Sequence, residues 1–280
     1  MGSGCISSQA GRQCVPEGHT LHRIAREHRR LFVGQVIRAS SPQGRFAEGA
    51  ALLDGRVLTG VDAYGKHLFH RFEGLGDRLH VHLGLYGTFV SGSTPAPDPR
   101  GALRLRMMAD GHYVDLRGPT RCELLTAGER TALLARLGPD PLRPSADPTR
   151  AWQRIARSKT PIGALLMDQA VLAGVGNVYR AEVLFRAGIA PTRPGAGVSE
   201  LEFSSIWSDL RHLMRAGVRT GRIVTTAREH RDYRRGPARD EDRYYVYRRT
   251  DVPCRVCGTP IRSAEMAARR LYWCPRCQAR

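Results

Sequence analysis

Four cysteines near the C-terminus constrain this chain more than any other feature. They fall as Cys254-Arg-Val-Cys257, then sixteen residues, then Cys274-Pro-Arg-Cys277. A two-residue gap lets two sulfurs converge on one tetrahedral ion, and the longer gap suits a β-hairpin that brings the two pairs together. Four thiolates leave no open coordination position. The expected cofactor is therefore one structural Zn2+ per chain, held by Cys254, Cys257, Cys274 and Cys277; two disulfides are the alternative use of the pattern. So short a segment buries too little core to fold alone, and the metal supplies the missing stability.

What this segment presents is mostly arginine. The 280-residue chain has a formal charge of +18, and between Arg211 and Arg280 lie eighteen arginines, no lysines and seven acids. Tyrosines interleave with them in Arg243-Tyr244-Tyr245-Val246-Tyr247-Arg248-Arg249. Guanidinium groups beside planar rings suit phosphate backbones and exposed bases, although a solvated surface in an arginine-favouring genome has the same composition. Of the 44 basic residues only Lys66 and Lys159 are lysines. Lysine can give up a proton near neutral pH when its pKa is lowered, and arginine practically cannot. A lysine retained in such a chain is a candidate for proton transfer.

No apolar run is long enough to span a membrane and no basic-then-apolar leader is present. The zinc pattern, with Cys5, Cys14 and Cys122 left unmatched, points to a reducing cytoplasm, where DNA binding would place the chain at the nucleoid.

Residues 1–14 are rich in Gly, Ser and Gln and read as a disordered extension or a misassigned start. A helix is expected from about Thr20 to Leu31, with Leu21, Ile24, Ala25, His28 and Leu31 on one face. Seven strand-like runs follow, at Gln35–Ala39, Arg56–Ala63, Lys66–Phe72, Arg78–Leu83, Gly87–Val90, Leu103–Met108 and Gly111–Leu116, separated by Gly- and Pro-containing turns. They suggest a β-sandwich or barrel over 15–126. From Ala127 the pattern turns helical through 236. Thr160-Pro161 opens a helix to about Leu172, Ala173–Asn177 interrupts it, and helices over Val178–Ala187 and Ser199–Ala216 follow. Residues 237–280 form the linker and the four-cysteine finger. The fold class is thus α+β and multidomain: an N-terminal sandwich with flanking helices, a helical domain and a zinc hairpin.

Gly174-Val175-Gly176-Asn177 between two helices offers backbone amides and a helix N-terminus, an arrangement suited to a phosphate. The run from Pro161-Ile-Gly-Ala-Leu-Leu-Met-Asp-Gln through Gly174-Val-Gly-Asn-Val-Tyr to Gly188-Ile-Ala-Pro191 resembles the helix-two-turn-helix of the formamidopyrimidine-DNA glycosylase and endonuclease VIII family. Tyr272-Trp273-Cys274-Pro275 and Cys277-Gln278 are similar to that family's C-terminal finger. Val15-Pro16-Glu17-Gly18-His19-Thr20 looks like its N-terminal signature. The resemblance runs from about residue 15 to the end, in three separated motifs in the family's order.

The resemblance implies a bifunctional DNA glycosylase and abasic-site lyase of base excision repair. It would act on damaged double-stranded DNA as a monomer, away from membranes. Pro16 matches the family's nucleophile, a secondary amine that attacks the sugar C1′ and expels the base. Glu17 matches the acid that protonates the ring oxygen, and Lys66 the lysine of proton transfer in β-elimination. Arg269, five residues before Cys274, matches the finger arginine that contacts phosphate and assists δ-elimination, with Arg270 as the alternative register. Leu85 and Tyr86 are similar to the endonuclease VIII loop that fills the gap left by an extruded nucleotide, although Gly84 stands where those enzymes often carry glutamine. Arg136 and Asn177 match phosphate contacts. The loop and the Tyr-Trp finger lean toward the endonuclease VIII branch and oxidised pyrimidines.

One departure bears on the chemistry. Pro16 follows Val15 in peptide linkage, and an amide nitrogen cannot serve as this nucleophile. Val15 is how an initiating GTG codon reads when a gene start is placed too far upstream, so the expected native start is position 15, with loss of the initiator exposing Pro16. If the extension is retained, the alternative is a noncatalytic binder of damaged or nicked DNA.

Overall fold

The computed structural model describes residues 16–279. Residues 1–14, read above as an extension, lie outside the described residues, as does Val15. The chain divides into two compact units, the first ending at Ala135 and the second beginning at Arg136.

The first unit opens with α1 (Gly18–Phe32), whose Leu21, Ile24, Ala25, His28 and Leu31 are buried as one stripe. Then come β1 (Val36–Ser40), α2 (Ala47–Leu53), β2 (Arg56–Tyr64), β3 (His67–Phe72), β4 (Arg78–His82), β5 (Thr88–Ser93), β6 (Leu103–Ala109), β7 (His112–Arg117), β8 (Arg121–Leu125) and α3 (Ala127–Ala135). The strands pair antiparallel in the order β5-β7-β6-β1-β2-β3-β4-β8. The β1–β2 junction consists of Val36↔Val57 and Ile37↔Arg56 alone. The order therefore folds into two four-stranded layers, β5-β7-β6-β1 and β2-β3-β4-β8, the expected sandwich. Alternate residues such as Leu68, Phe72, Leu79 and Val81 fill the core with Leu105 and Leu116, as period-two burial requires. β8 and α2 were not foreseen. Arg121-Cys-Glu-Leu-Leu reads as polar because it is an edge strand with one charged face, and α2 is only 7 residues long.

A histidine pair sits in this core. His28 Nδ1 and His70 Nε2 share a proton at 2.9 Å, joining α1 to β3. Burial lowers the His28 pKa to about 3, and burial together with His28 holds His70 well below its ordinary value. Below pH 6.5 the unfolded chain binds protons that the folded core excludes, so the pair's contribution is intact above pH 6.5 and declines as pH falls toward 3. Unfolding free energy from urea titrations at pH 7, 6 and 5 should fall by up to about 1.4 kcal/mol per pH unit for each buried histidine. In His28→Gln/His70→Gln the slope should be shallower; an unchanged slope would contradict the assignment.

The second unit holds α4 (Thr149–Ala156), α5 (Ile162–Leu165), α6 (Asn177–Arg186), α7 (Glu200–Thr220), β9 (Arg262–Met266) and β10 (Arg269–Trp273). Ser199 and Glu202 form a capping box at the start of α7, and Gly221, at φ 72°, ends it in the left-handed region, as such caps require. Leu172, Leu184 and Leu210 share one core with Tyr245–Tyr247, Cys254 and Cys274, so the finger is continuous with the helices. The helix expected from Thr160 to Leu172 is a correction: α5 stops at Leu165. Asp168 Oδ1 accepts from the Ala170 amide at 2.8 Å, and side-chain capture of this kind competes with helix. Among the described residues no helix is long and apolar enough to cross a membrane.

Candidate active site and zinc centre

Pro16 is half-buried immediately ahead of α1, and Glu17 occupies the N-cap with φ −119° and ψ 177°. The Glu17 carbonyl accepts from the Thr20 amide at 2.9 Å, and its side chain leaves the residue 1% exposed. A carboxyl group there sits in a nearly dry site at the positive end of a helix. Lys66 follows Gly65 in the two-residue turn between Tyr64 and His67. Gly65 has φ 55°, the geometry that glycine supplies at the first turn position of a tight hairpin. Lys66 lies close enough to His82 that its charge, after burial and His80, helps lower the His82 pKa to about 4. α1 packs on β2 and β3, and the His28–His70 bond pins it there. Pro16, Glu17 and Lys66 are thus carried by elements locked together in one unit.

Leu85 and Tyr86 lie in the turn between β4 and β5. Leu85 is half-buried and Tyr86 is 69% exposed. Gly84 has φ 70°, and a Cβ there would lie 1.8 Å from Thr120 Oγ1. Glutamine does not fit at that position without rebuilding the loop.

In the second unit Gln169 shapes the turn ahead of α6. Its Oε1 accepts from the Gly174 amide at 2.9 Å, and its Nε2 donates to the Met167 and Val175 carbonyls at 2.8 and 2.9 Å. Gly174, at φ 91°, makes the bend. Asn177 opens α6, and its Nδ2 donates to the Arg270 carbonyl at 3.0 Å. Arg180, fully buried, donates to Asn177 Oδ1 and to the Met266 carbonyl, the latter at 3.2 Å. These bonds bring Asn177, Arg269 and Arg270 together where the hairpin meets the helix start. Both arginines are exposed, just past the Ala267-Ala268 turn, and Arg136 is exposed at the first position of the unit.

The four cysteine sulfurs lie within 4.8 Å of one another, with Cys254–Cys277 at 3.9 Å and Cys257–Cys274 at 3.5 Å. A tetrahedral zinc with Zn–S near 2.3 Å needs sulfurs about 3.8 Å apart, so the residues fit the metal. Cys274 and its neighbours are further fixed by Gln278. Its Oε1 accepts from the Cys274 amide at 2.9 Å, and its Nε2 donates to the Ile189 carbonyl at 3.0 Å. Because Cys254 and Cys274 belong to the helical core, chelation or Cys274→Ser should melt the hairpin, loosen the second unit and weaken DNA binding tenfold or more, by about 1.4 kcal/mol. The first unit should keep its own unfolding transition. Calorimetry with metal analysis checks this; full DNA affinity in a zinc-free protein would contradict it.

Sequence reasoning passed over Glu182. It is wholly buried on α6 and accepts from the amides of Tyr245, Val246 and Tyr247 at 2.8, 2.9 and 2.8 Å and from the Thr225 hydroxyl. Burial pushes its pKa up, and these four donors pull it back. The tyrosine-bearing segment noted for its charge is therefore latched to the helices by one carboxylate. Its sequence signal is an acid set between Ala181 and the apolar run Val183-Leu184-Phe185 of α6.

Comparison with known proteins agrees with this architecture. Residues 15–122 match the formamidopyrimidine-DNA glycosylase N-terminal domain, 137–229 the formamidopyrimidine-DNA glycosylase H2TH domain, and 253–280 the zinc finger found in FPG and IleRS. Endonuclease 8 1 of Mycobacterium tuberculosis is 54% identical over 268 residues, spanning 94% of this chain and 100% of that protein. The crystal structure of the MutM (Fpg) protein from Thermus thermophilus superposes with a TM-score of 0.75 at 31% identity, covering 94% of this chain and 99% of that one. The Lactococcus lactis Fpg bound to DNA containing an abasic site shares the fold, with a TM-score of 0.75 at 24% identity over 94% of this chain and all of that one. With its three matched domains and these relatives, the chain belongs to the formamidopyrimidine-DNA glycosylase and endonuclease VIII family.

Proposed function

We propose that this chain removes oxidised pyrimidines from duplex DNA and cuts the resulting abasic strand by β,δ-elimination, with Pro16 as its nucleophile. As a member of its family it is a bifunctional DNA glycosylase and AP lyase of base excision repair. The observation that carries the assignment of residues is the placement of Pro16 and a buried Glu17 at the start of α1, which packs on the strands flanking Lys66.

The roles follow from the chemistry of each group. The Pro16 amine attacks C1′ while Glu17 gives a proton to the ring oxygen, so the base leaves and an iminium forms. The iminium acidifies the 2′ hydrogen. Lys66 takes that proton, and the 3′ phosphate departs. Arg269 at the hairpin, with Asn177 and Arg136, holds backbone phosphates, and Arg270 is the alternative to Arg269. Tyr86, exposed on its turn next to the half-buried Leu85, fills the space left by the extruded nucleotide. Zn2+ on Cys254, Cys257, Cys274 and Cys277 holds the hairpin in shape and takes no part in bond making. The enzyme acts as a monomer. Catalysis needs Pro16 with a free amine, so the active chain is one from which Val15 and everything before it have been removed. If they are retained, the same fold binds damaged DNA without cutting it.

Single-turnover assays of the chain beginning at Pro16 on duplexes with an oxidised pyrimidine or with 8-oxoguanine test the lesion class. Faster excision of the pyrimidine, with phosphate on both new ends, is expected. Preference for the purine would overturn it.

A further inference from the structure

Arg255 lies between Cys254 and Cys257, yet its side chain serves another segment. It is 5% exposed and reaches the loop that joins α7 to the Tyr245–Tyr247 run. Nε donates to the Tyr244 carbonyl at 3.3 Å and Nη2 to the Glu241 carbonyl at 2.7 Å. Nη1 donates to the His230 carbonyl at 3.2 Å and to Asp232 Oδ2 at 3.1 Å. Asp242, with its side chain 1% exposed, places Oδ1 3.1 Å from the same Nη1. Its carboxylate also accepts from the Asp232 amide at 3.0 Å and the Tyr233 amide at 3.1 Å. One guanidinium and one carboxylate thus bind both limbs of the loop, 230–233 and 241–244, to the finger. Charge-assisted bonds of this kind are strong, and the planar fork of arginine is what lets one side chain make several of them.

The base of the loop is closed independently. Thr226 Oγ1 donates to the Asp242 carbonyl at 2.6 Å, and the Thr225 amide donates to the Arg243 carbonyl at 2.9 Å. Arg255 and Asp242 therefore order the stretch beyond these bonds.

That stretch sorts its charge. Asp240 pairs with Arg222 at 2.7 Å and with Arg243 at 3.5 Å, and Asp242 pairs with Arg255, so these acids neutralise arginines at the base. Residues 233–239 hold three arginines and no acid. Arg239 lies over the Tyr233 ring at 3.9 Å. Arg234 and Arg235 are exposed, next to Gly236, which turns the chain at φ 69°. Two adjacent exposed guanidinium groups suit a phosphate backbone. A loop already ordered gives up less conformational freedom when it binds.

We propose that Arg255 is a positioning residue for DNA binding: with Asp242 it holds the loop so that Arg234 and Arg235 meet the DNA backbone as an ordered pair. This rests on the reading of the second unit as a DNA-binding body.

The experiment uses the zinc-loaded 280-residue chain and a duplex carrying a reduced abasic sugar, which a lyase cannot open. Arg255→Ala should keep one zinc per chain. The Asp232 and Tyr233 amides should exchange hydrogen about tenfold faster or more, while the Thr225 amide stays protected. Affinity should fall about tenfold. Arg255→Lys, which keeps the charge and loses the fork, should behave like Arg255→Ala. Arg234→Ala/Arg235→Ala should weaken binding to a similar extent and lower the slope of log K against log salt by about two. In the Arg255→Ala background the same pair should cost less than about twofold, since arginines that are no longer held have little left to lose. Full additivity in the triple variant, native binding by Arg255→Lys, or unchanged exchange at Asp232 and Tyr233 overturns the proposal. If Arg255→Ala does not take up zinc, Asp242→Asn opens the clasp from the loop side and is held to the same outcomes. Failure of the underlying reading looks different. A parent chain that does not bind the duplex removes the second unit as a DNA-binding body and the proposal with it, whereas additive losses in a parent that binds remove Arg255 alone.

Discussion

Glu17→Gln should lose base excision by about 10²-fold or more and keep most of its activity on preformed abasic sites. Glu17 sits at the N-cap of α1, 1% exposed, beside Pro16. Excision from an intact nucleoside requires the ring C–O bond to break while the base departs, and a proton donor at the ring oxygen lowers that barrier. An abasic sugar opens its ring spontaneously in water, so the amine can attack the aldehyde without the acid. Glutamine fills the same space and retains hydrogen bonding, which limits the change to the loss of the proton. Single-turnover rates on a lesion duplex and on an abasic duplex separate the two steps. Equal losses on both substrates would assign Glu17 to holding Pro16 in place and remove it as the acid.

The second large effect is on stability. Glu182→Ala should destabilise the second unit by about 3–5 kcal/mol. That corresponds to a fall in its melting temperature of about 10 °C. The carboxylate is wholly buried and is the acceptor for three consecutive amides and one hydroxyl. Removing it strands those donors away from water, which costs more than the bonds themselves contributed. Glu182→Gln should be intermediate, because its NH2 group offers a donor where only acceptors fit. The segment released carries Tyr244, Tyr247 and Arg248, so DNA affinity should fall along with stability. Calorimetry of the variant decides it; a loss under about 1 kcal/mol, the worth of one ordinary hydrogen bond, would mean that water reaches these amides.

The zinc centre was legible because the rule linking cysteine spacing to tetrahedral geometry is local, and Cys254 to Cys277 satisfy it in sequence. The sandwich was legible where turns punctuate alternating strands. It was not legible at β8, whose Arg121 and Glu123 face outward on an edge. The helix drawn through Leu172 failed for a related reason. Pro161 and the apolar run behind it read as helix, yet Asp168 and Gln169 commit their side chains to backbone amides and carbonyls and bend the chain instead. Gly84 looked like a missing base contact, and the structure shows a position at φ 70° where a Cβ would meet the Thr120 side chain. Glu182 was visible as a residue but not as a latch, because its partners lie 43 to 65 positions further along the chain. The Arg255 clasp is of the same kind: His230, Glu241 and Asp242 mean little until the finger sets Arg255 among them.

Pro16 should react as a free secondary amine. Two chains test it, one beginning at Pro16 and one carrying residues 1–15, each incubated with abasic duplex and sodium borohydride and analysed by intact-mass and peptide mass spectrometry. The chain beginning at Pro16 should form a covalent adduct of one DNA strand on its N-terminal proline. The longer chain should bind the same duplex and remain unmodified. An adduct on a lysine in either chain, or equal adduct formation by the longer chain without loss of its first fifteen residues, would contradict the account.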